Sequence, residues 1–169
     1  MTQKTGEFKN TKESIAIYIP FFAGLILNVF VVLMFAKTII RLQDIFMMYI
    51  ITGTVFYFIF GKFVKIKLSK FYRWVYTTVS FGSLLASILL SINLYSYPTK
   101  DFEILQTEIL KKGFTTKGNH PTADIKIDGI IKGIIFRNLD DINNYSGVKV
   151  KVREGILGWK IIEKTTLIK

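Results

Sequence analysis

The sequence predicts three transmembrane helices followed by a small antiparallel β module, and three observations carry that expectation. Three stretches run uncharged for about the length of a bilayer crossing. Hydrophobic residues make up 50% of the 169 residues and charged ones only 21%, with a mean hydropathy of +0.38, which is apolar for a soluble domain. From about residue 100 onward the apolar pattern changes from continuous to alternating, and turn residues appear.

An N-terminal tail, residues 1–13, precedes the transmembrane region, 14–99. A hydrocarbon core of ~30 Å is crossed by about 20 residues at ~1.5 Å each. Residues 14–36 supply 23 uncharged positions between Glu13 and Lys37. Residues 45–61 supply 17 between Asp44 and Lys62, which is at the short limit unless Lys62 snorkels to the interface. The third run holds 26 uncharged residues from Trp74 to Thr99, with the span placed at 74–98. None of the three has the polar face that a soluble bundle helix needs. Trp74 and Tyr76 stand at one end of the third span and Tyr95 and Tyr97 at the other, where amphipathic rings favour the headgroup layer. The first span is too long for a signal-peptide core, and Phe35-Ala36-Lys37 is no small-x-small cleavage site.

Orientation follows from the cations near the span ends. The tail and the 62–73 loop hold eight (Lys4, Lys9, Lys12, Lys62, Lys65, Lys67, Lys70 and Arg73), and the opposite side holds five (Lys37, Arg41, Lys100, Lys111 and Lys112). That balance places the N-terminus in the cytoplasm and the C-terminal module outside it.

The module occupies residues 100–169. Residues 123–127, Asp128-Gly129 and 130–136 read as a hairpin on a type I′ turn, with Ile127 facing Ile130, Ile125 facing Lys132 and Ala123 facing Ile134. Lys132, the one charge on that apolar face, is a misfit there. Val148, Val150 and Val152 alternate with Lys149, Lys151 and Arg153, which reads as a half-buried strand with a basic outer face. Residues 159–167 form a last strand and 102–114 a first one, giving about five strands in a small sheet or partial barrel.

The run Gly147-Val148-Lys149-Val150-Lys151-Val152 with Gly155, Gly158, Trp159 and Ile161-Ile162, preceded by Ile127-Asp128-Gly129, resembles the β-rich tail of small bacterial membrane proteins without an assigned activity. The likeness covers residues 100–165 and implies a bacterial setting. The use of 19 Lys against 4 Arg fits that setting.

Four serines, Ser80, Ser83, Ser87 and Ser91, fall within about 80° of one another on the third span at 100° per residue. On the first span Ala16, Pro20, Gly24 and Asn28 recur at i+4. Such seams suit close helix packing within the chain; a polar pore lining in an oligomer is the rival reading. The basic 62–73 loop, drawn as a helix, gathers Lys62, Lys65, Lys70 and Arg73 on one face for contact with anionic lipid headgroups, or serves only to set topology. Without a recognition fold, this charge does not point to nucleic acid.

The formal charge is +11, with no Cys and a single His, which excludes disulfides and any His/Cys zinc cage within the chain. His120 lies in a turn beside Pro121, and the adjacent Asp140 and Asp141 diverge in helix or strand. Asn144-Tyr145-Ser146, a glycosylation sequon by pattern, reads as a turn. No catalytic, cofactor or metal site is expected. The expected function is that of a non-enzymatic bacterial inner-membrane protein whose β module binds a protein partner or a second copy, in an accessory, envelope or immunity role. The alternative is a membrane-perturbing effector or small channel with a β sensor module.

Overall fold

The computed structural model describes residues 11–60, 69–96, 101–116, 118–137 and 141–169, with side chains described from Tyr18 onward in the first helix. Among these are three helices long and apolar enough to cross a membrane. Helix α1 is Thr11–Lys37 and α2 is Leu42–Phe60. The third span, Lys70–Tyr95, consists of α3 (Lys70–Thr77), one π-helical turn (Thr78–Gly82) and α4 (Ser83–Tyr95).

These helices begin earlier than the uncharged runs, for a physical reason. Asp44 sits in the first turn of α2, where a carboxylate suits the partial positive charge of a helix N-terminus. The third span starts at Lys70 rather than Trp74 because Ser69 caps it, its hydroxyl accepting from the Tyr72 amide. The long stems of Lys70 and Arg73 let their charged heads stay at the interface while the backbone is helical. Tyr97 and Pro98, at the expected end of the span, lie outside the described residues, as do residues 1–10 of the expected tail.

By their contacts the residues form two compact units, Met1–Val31 with Ile45–Ile88, and Val32–Asp44 with Leu89–Lys169. In the first unit the helices approach closely at the π turn. A Cβ on Gly24 would stand 2.8 Å from the Ser80 Cα, and one on Gly53 would collide with the Cα and hydroxyl of Thr78. Around it, Phe56 stacks on Phe81 and Phe21 on Tyr76. Outward positions such as Phe22, Ile26, Val29, Ile51, Phe58 and Leu84 remain exposed, as hydrocarbon-facing side chains would be.

The second unit is built on a five-stranded antiparallel sheet of β1 (Glu103–Phe114), β2 (Pro121–Ile127), β3 (Ile130–Ile135), β4 (Gly147–Glu154) and β5 (Lys160–Ile168), in the order β3-β2-β1-β4-β5. The β2–β3 pairing matches Ile127 with Ile130, Ile125 with Lys132 and Ala123 with Ile134, as the alternation predicts. Asp128 and Gly129 have φ of 49° and 79°, the two positive values of a type I′ turn. The inner face buries Ile125, Val148, Val150 and Val152 around Ile142 and around Ile39, which comes from the α1–α2 connection. That connection extends the sheet by one bridge, Thr38 to Ile161, with the Ile39 amide donating to the Lys160 carbonyl at 2.7 Å.

Candidate functional site

Within the second unit, the sheet receives the C-terminal ends of two of the three long apolar helices. A helix leaves its last four carbonyls without intrahelical donors and carries a partial negative charge there. Lys132, on the inner face of β3, sends its Nζ to the Phe35 carbonyl at 2.6 Å and over the Phe35 ring at 3.6 Å from the centroid. Arg153, on β4, donates from Nη2 to the Leu94 carbonyl in the last turn of α4 and pairs through Nε with Glu163. Asn93, fully buried, donates from Nδ2 to the Trp159 carbonyl at 3.0 Å and accepts the Leu157 amide at 3.0 Å.

Two expectations about these cations are corrected here. Lys132 is not a misfit on the apolar face, because the end of α1 supplies an acceptor and an aromatic ring. Arg153 does not belong to an exposed basic face. It is only 5% exposed, because the end of α4 covers the sheet at that point. Alternation identified the face correctly but not what lies against it.

Lys149 and Lys151 do lie on the outward face. Lys151 stands opposite Ile104 of β1 and Lys164 of β5, and Lys149 opposite Gln106 and Thr166. Like charges directly across a ladder repel, so the Lys151–Lys164 pairing costs stability. Lys151 also lies over the Phe102 ring, 3.6 Å from its centroid. Exposed Ile104, Ile131 and Ile135 add apolar area to the outer surface.

Beside this face, Asp101, Phe102, Glu103, Arg153, Glu154 and Lys160 line an open cleft of about 410 Å³. Lys160 pairs with Glu103 at 2.9 Å and with Asp128 at 3.0 Å. Hydrogen bonds to Glu103 and then to Asp128 raise its pKa above the ordinary lysine value. The contact links the start of β5 to the β2–β3 turn, so the sheet curls towards closure at this end.

In the first unit, the serine stripe faces the α1 seam. Ser83 is fully buried, its hydroxyl bonded to the Val79 carbonyl and accepting from Asn28 Nδ2 at 2.8 Å. Tyr49 of α2 donates to Asn28 Oδ1 at 2.7 Å, so Asn28 ties all three spans together. Ser80 and Ser87 are nearly buried, and Ser87 faces the Leu27 carbonyl at 3.4 Å. Ser91, in the second unit, lies 3.3 Å from the Met34 sulfur. The four hydroxyl positions and Gly24 are thus taken up between helices of one chain. Of the four expected headgroup contacts, Lys70 is exposed and Arg73 half-buried at the start of α3, while Lys62 and Lys65 lie outside the described residues.

Asn93, Lys160 and Tyr49 were not singled out from the sequence. An Asn near the C-terminal end of the uncharged run from Trp74 to Thr99 is the one signal that could have marked Asn93, since an unpaired amide there is costly. Compared with known proteins, the chain matches no family model, no curated protein and no solved structure.

Proposed function

We propose that the chain is a non-enzymatic integral protein of the bacterial inner membrane, N-terminus in the cytoplasm, whose β module serves outside the cytoplasm as a docking platform for an acidic protein partner. The observation that carries this reading is the set Lys149, Lys151 and Lys164 on the outward face. No carboxylate stands opposite Lys149 or Lys151 in the strand register, and Lys151 and Lys164 confront each other. An anionic partner surface relieves that repulsion, and charge complementarity of this kind steers association. A second copy bringing the same face would add to the repulsion, so the charge favours a different protein over self-association. Anionic lipid headgroups at the 62–73 loop hold the other side of the membrane domain.

The experiment places a photocrosslinking residue at Thr166 of the full chain in its native membrane. A discrete adduct is expected, lost in the Lys149→Glu, Lys151→Glu, Lys164→Glu triple variant. The triple variant keeps like charges opposite each other and gives up the Lys151–Phe102 contact, worth about 0.5–1 kcal/mol at an exposed site, so its fold stability stays within about 1 kcal/mol of the wild type. An adduct that persists in the triple variant, or none in the wild type, overturns the docking role. A reporter fused after Lys169 tests orientation separately, cytoplasmic activity reversing it.

A further inference from the structure

The β4–β5 turn, residues 155–159, reads Gly-Ile-Leu-Gly-Trp, five uncharged residues between Glu154 and Lys160. Its backbone is held by the end of a membrane helix. Asn93, two residues before the last residue of α4, binds both the Leu157 amide and the Trp159 carbonyl. Gly155 packs flush on the Asn93 amide, where a Cβ would collide with it, and the Gly155 amide donates to the Trp159 carbonyl at 3.1 Å. Yet the two residues at the tip are not buried by this anchoring: Ile156 is 53% exposed and Leu157 39%.

The depth of Asn93 decides what faces them. At ~1.5 Å per residue the 26 residues of Lys70–Tyr95 reach about 39 Å, longer than the ~30 Å hydrocarbon core, so the last turn of α4 falls at the boundary of headgroups and acyl chains. In that same turn Ile92 is 41% exposed and Tyr95 68%, continuing the outward apolar stripe of Leu85 and Ile88. An amphipathic element at this boundary buries its apolar side ~5–10 Å into the bilayer. We infer that residues 155–159 are a lipid-contacting wedge, with Ile156 and Leu157 seated in the bilayer beside the end of α4 and the Trp159 ring at the headgroup level. The module is then held against the membrane through its own hairpin as well as through the helices.

The chain has no cysteine, so single-Cys labelling needs no background removal. Ile156→Cys and, as the control, Asn144→Cys in the exposed turn before β4 carry a polarity-sensitive fluorophore. The full chain is placed in phosphatidylcholine/phosphatidylglycerol vesicles containing lipids spin-labelled near the headgroup. The label at 156 is expected to be quenched by the lipid and to show several-fold weaker quenching by aqueous iodide than the label at 144. Equal iodide quenching at the two positions overturns the wedge. Should the labelled Ile156→Cys chain not fold, Trp74→Phe leaves Trp159 as the only tryptophan. Its quenching by brominated lipid supports the inference, and its absence overturns it. Neither readout involves the lysine face, so loss of the docking role leaves this result standing.

Discussion

The Nζ of Lys132 lies 2.6 Å from the carbonyl oxygen of Phe35, joining an inner position of β3 to the last turn of α1 across 97 residues of sequence. Its counterpart on β4 is Arg153 with the carbonyl of Leu94. Cations at helix C-termini interact favourably with the helix dipole. Each connection therefore fastens the sheet to the end of a long apolar helix by a side-chain hydrogen bond as well as by chain continuity.

Burial lowers the pKa of Lys132 from 10.5 to about 8. Between about pH 8 and 10.5 the unfolded chain binds more protons at this group than the folded one, so stability rises with pH across that window. The gain is on the order of 1–3 kcal/mol, at about 1.4 kcal/mol for each tenfold change in proton affinity, reduced by the ring and carbonyl that favour the charged form. Lys132→Met is expected to lose this rise relative to wild type, as read by denaturation of both proteins in detergent at about pH 7.5 and about pH 10, on either side of most of that window. Identical pH dependence in the two proteins would sink the assignment.

Lys132→Glu reverses the charge at the same place. A carboxylate at a helix C-terminus and over an aromatic face has no favourable contact, and burying it unpaired costs roughly 3 kcal/mol or more. The full chain is expected to melt well below wild type in detergent, or not to accumulate in the membrane.

Arg153→Met removes the donor to Leu94 and the partner of Glu163 while keeping an apolar stem of similar reach. Glu163 is 37% exposed in its side chain and recovers water, so the expected loss is about 2 kcal/mol rather than that of a fully buried pair. Chemical denaturation with and without high salt checks it. A partly buried contact is screened little, so the difference from wild type persists in salt.

At the hairpin, Gly129→Val places a β-branched residue at φ 79°, and nothing lies within 4 Å of the added Cβ, so the penalty is one of backbone strain alone. A loss above about 1 kcal/mol is expected, with Gly129→Asn close to wild type because Asn tolerates left-handed φ. Melting temperatures of the two variants that coincide would contradict the turn type.

The fourfold replacement of Ser80, Ser83, Ser87 and Ser91 by Ala keeps small side chains in the seam while deleting the hydroxyls. At about 0.6 kcal/mol for each hydrogen bond, the protein is expected to insert and stay folded. Gly53→Val, by contrast, drives its added carbons into the Thr78 backbone and should disrupt the bundle. No conductance is expected from wild type in planar bilayers. Conductance that vanishes in the fourfold variant would replace the docking role with that of a pore, because narrow apolar constrictions dewet.

Much of the architecture was legible from residue order. Uncharged length located the three helices long and apolar enough to cross a membrane, because a helix satisfies its own backbone and an apolar run has no polar face to offer water. Alternation identified the strands, and Asp128-Gly129 located the turn and its register, because few residues accept two successive positive φ values. The candidate site was legible only in part. Lys149 and Lys151 could be placed on the outer face by parity, but the confrontation of Lys151 with Lys164 depends on the bulge in the β4–β5 ladder between Lys151 and Val152.

What the sequence by itself determined about this chain is local: which segments are apolar along their length, which alternate, and where the chain turns. What only the tertiary structure decided is which distant groups meet. Ile39 enters the core of the sheet, Lys132 and Arg153 end on helix carbonyls, and Asn93 holds the β4–β5 turn. The physical reason is that a carbonyl at a helix end, or a side chain on an inward face, accepts any donor that packing brings within reach. Local pattern states the need for a partner, and only the packing of elements far apart in sequence supplies one.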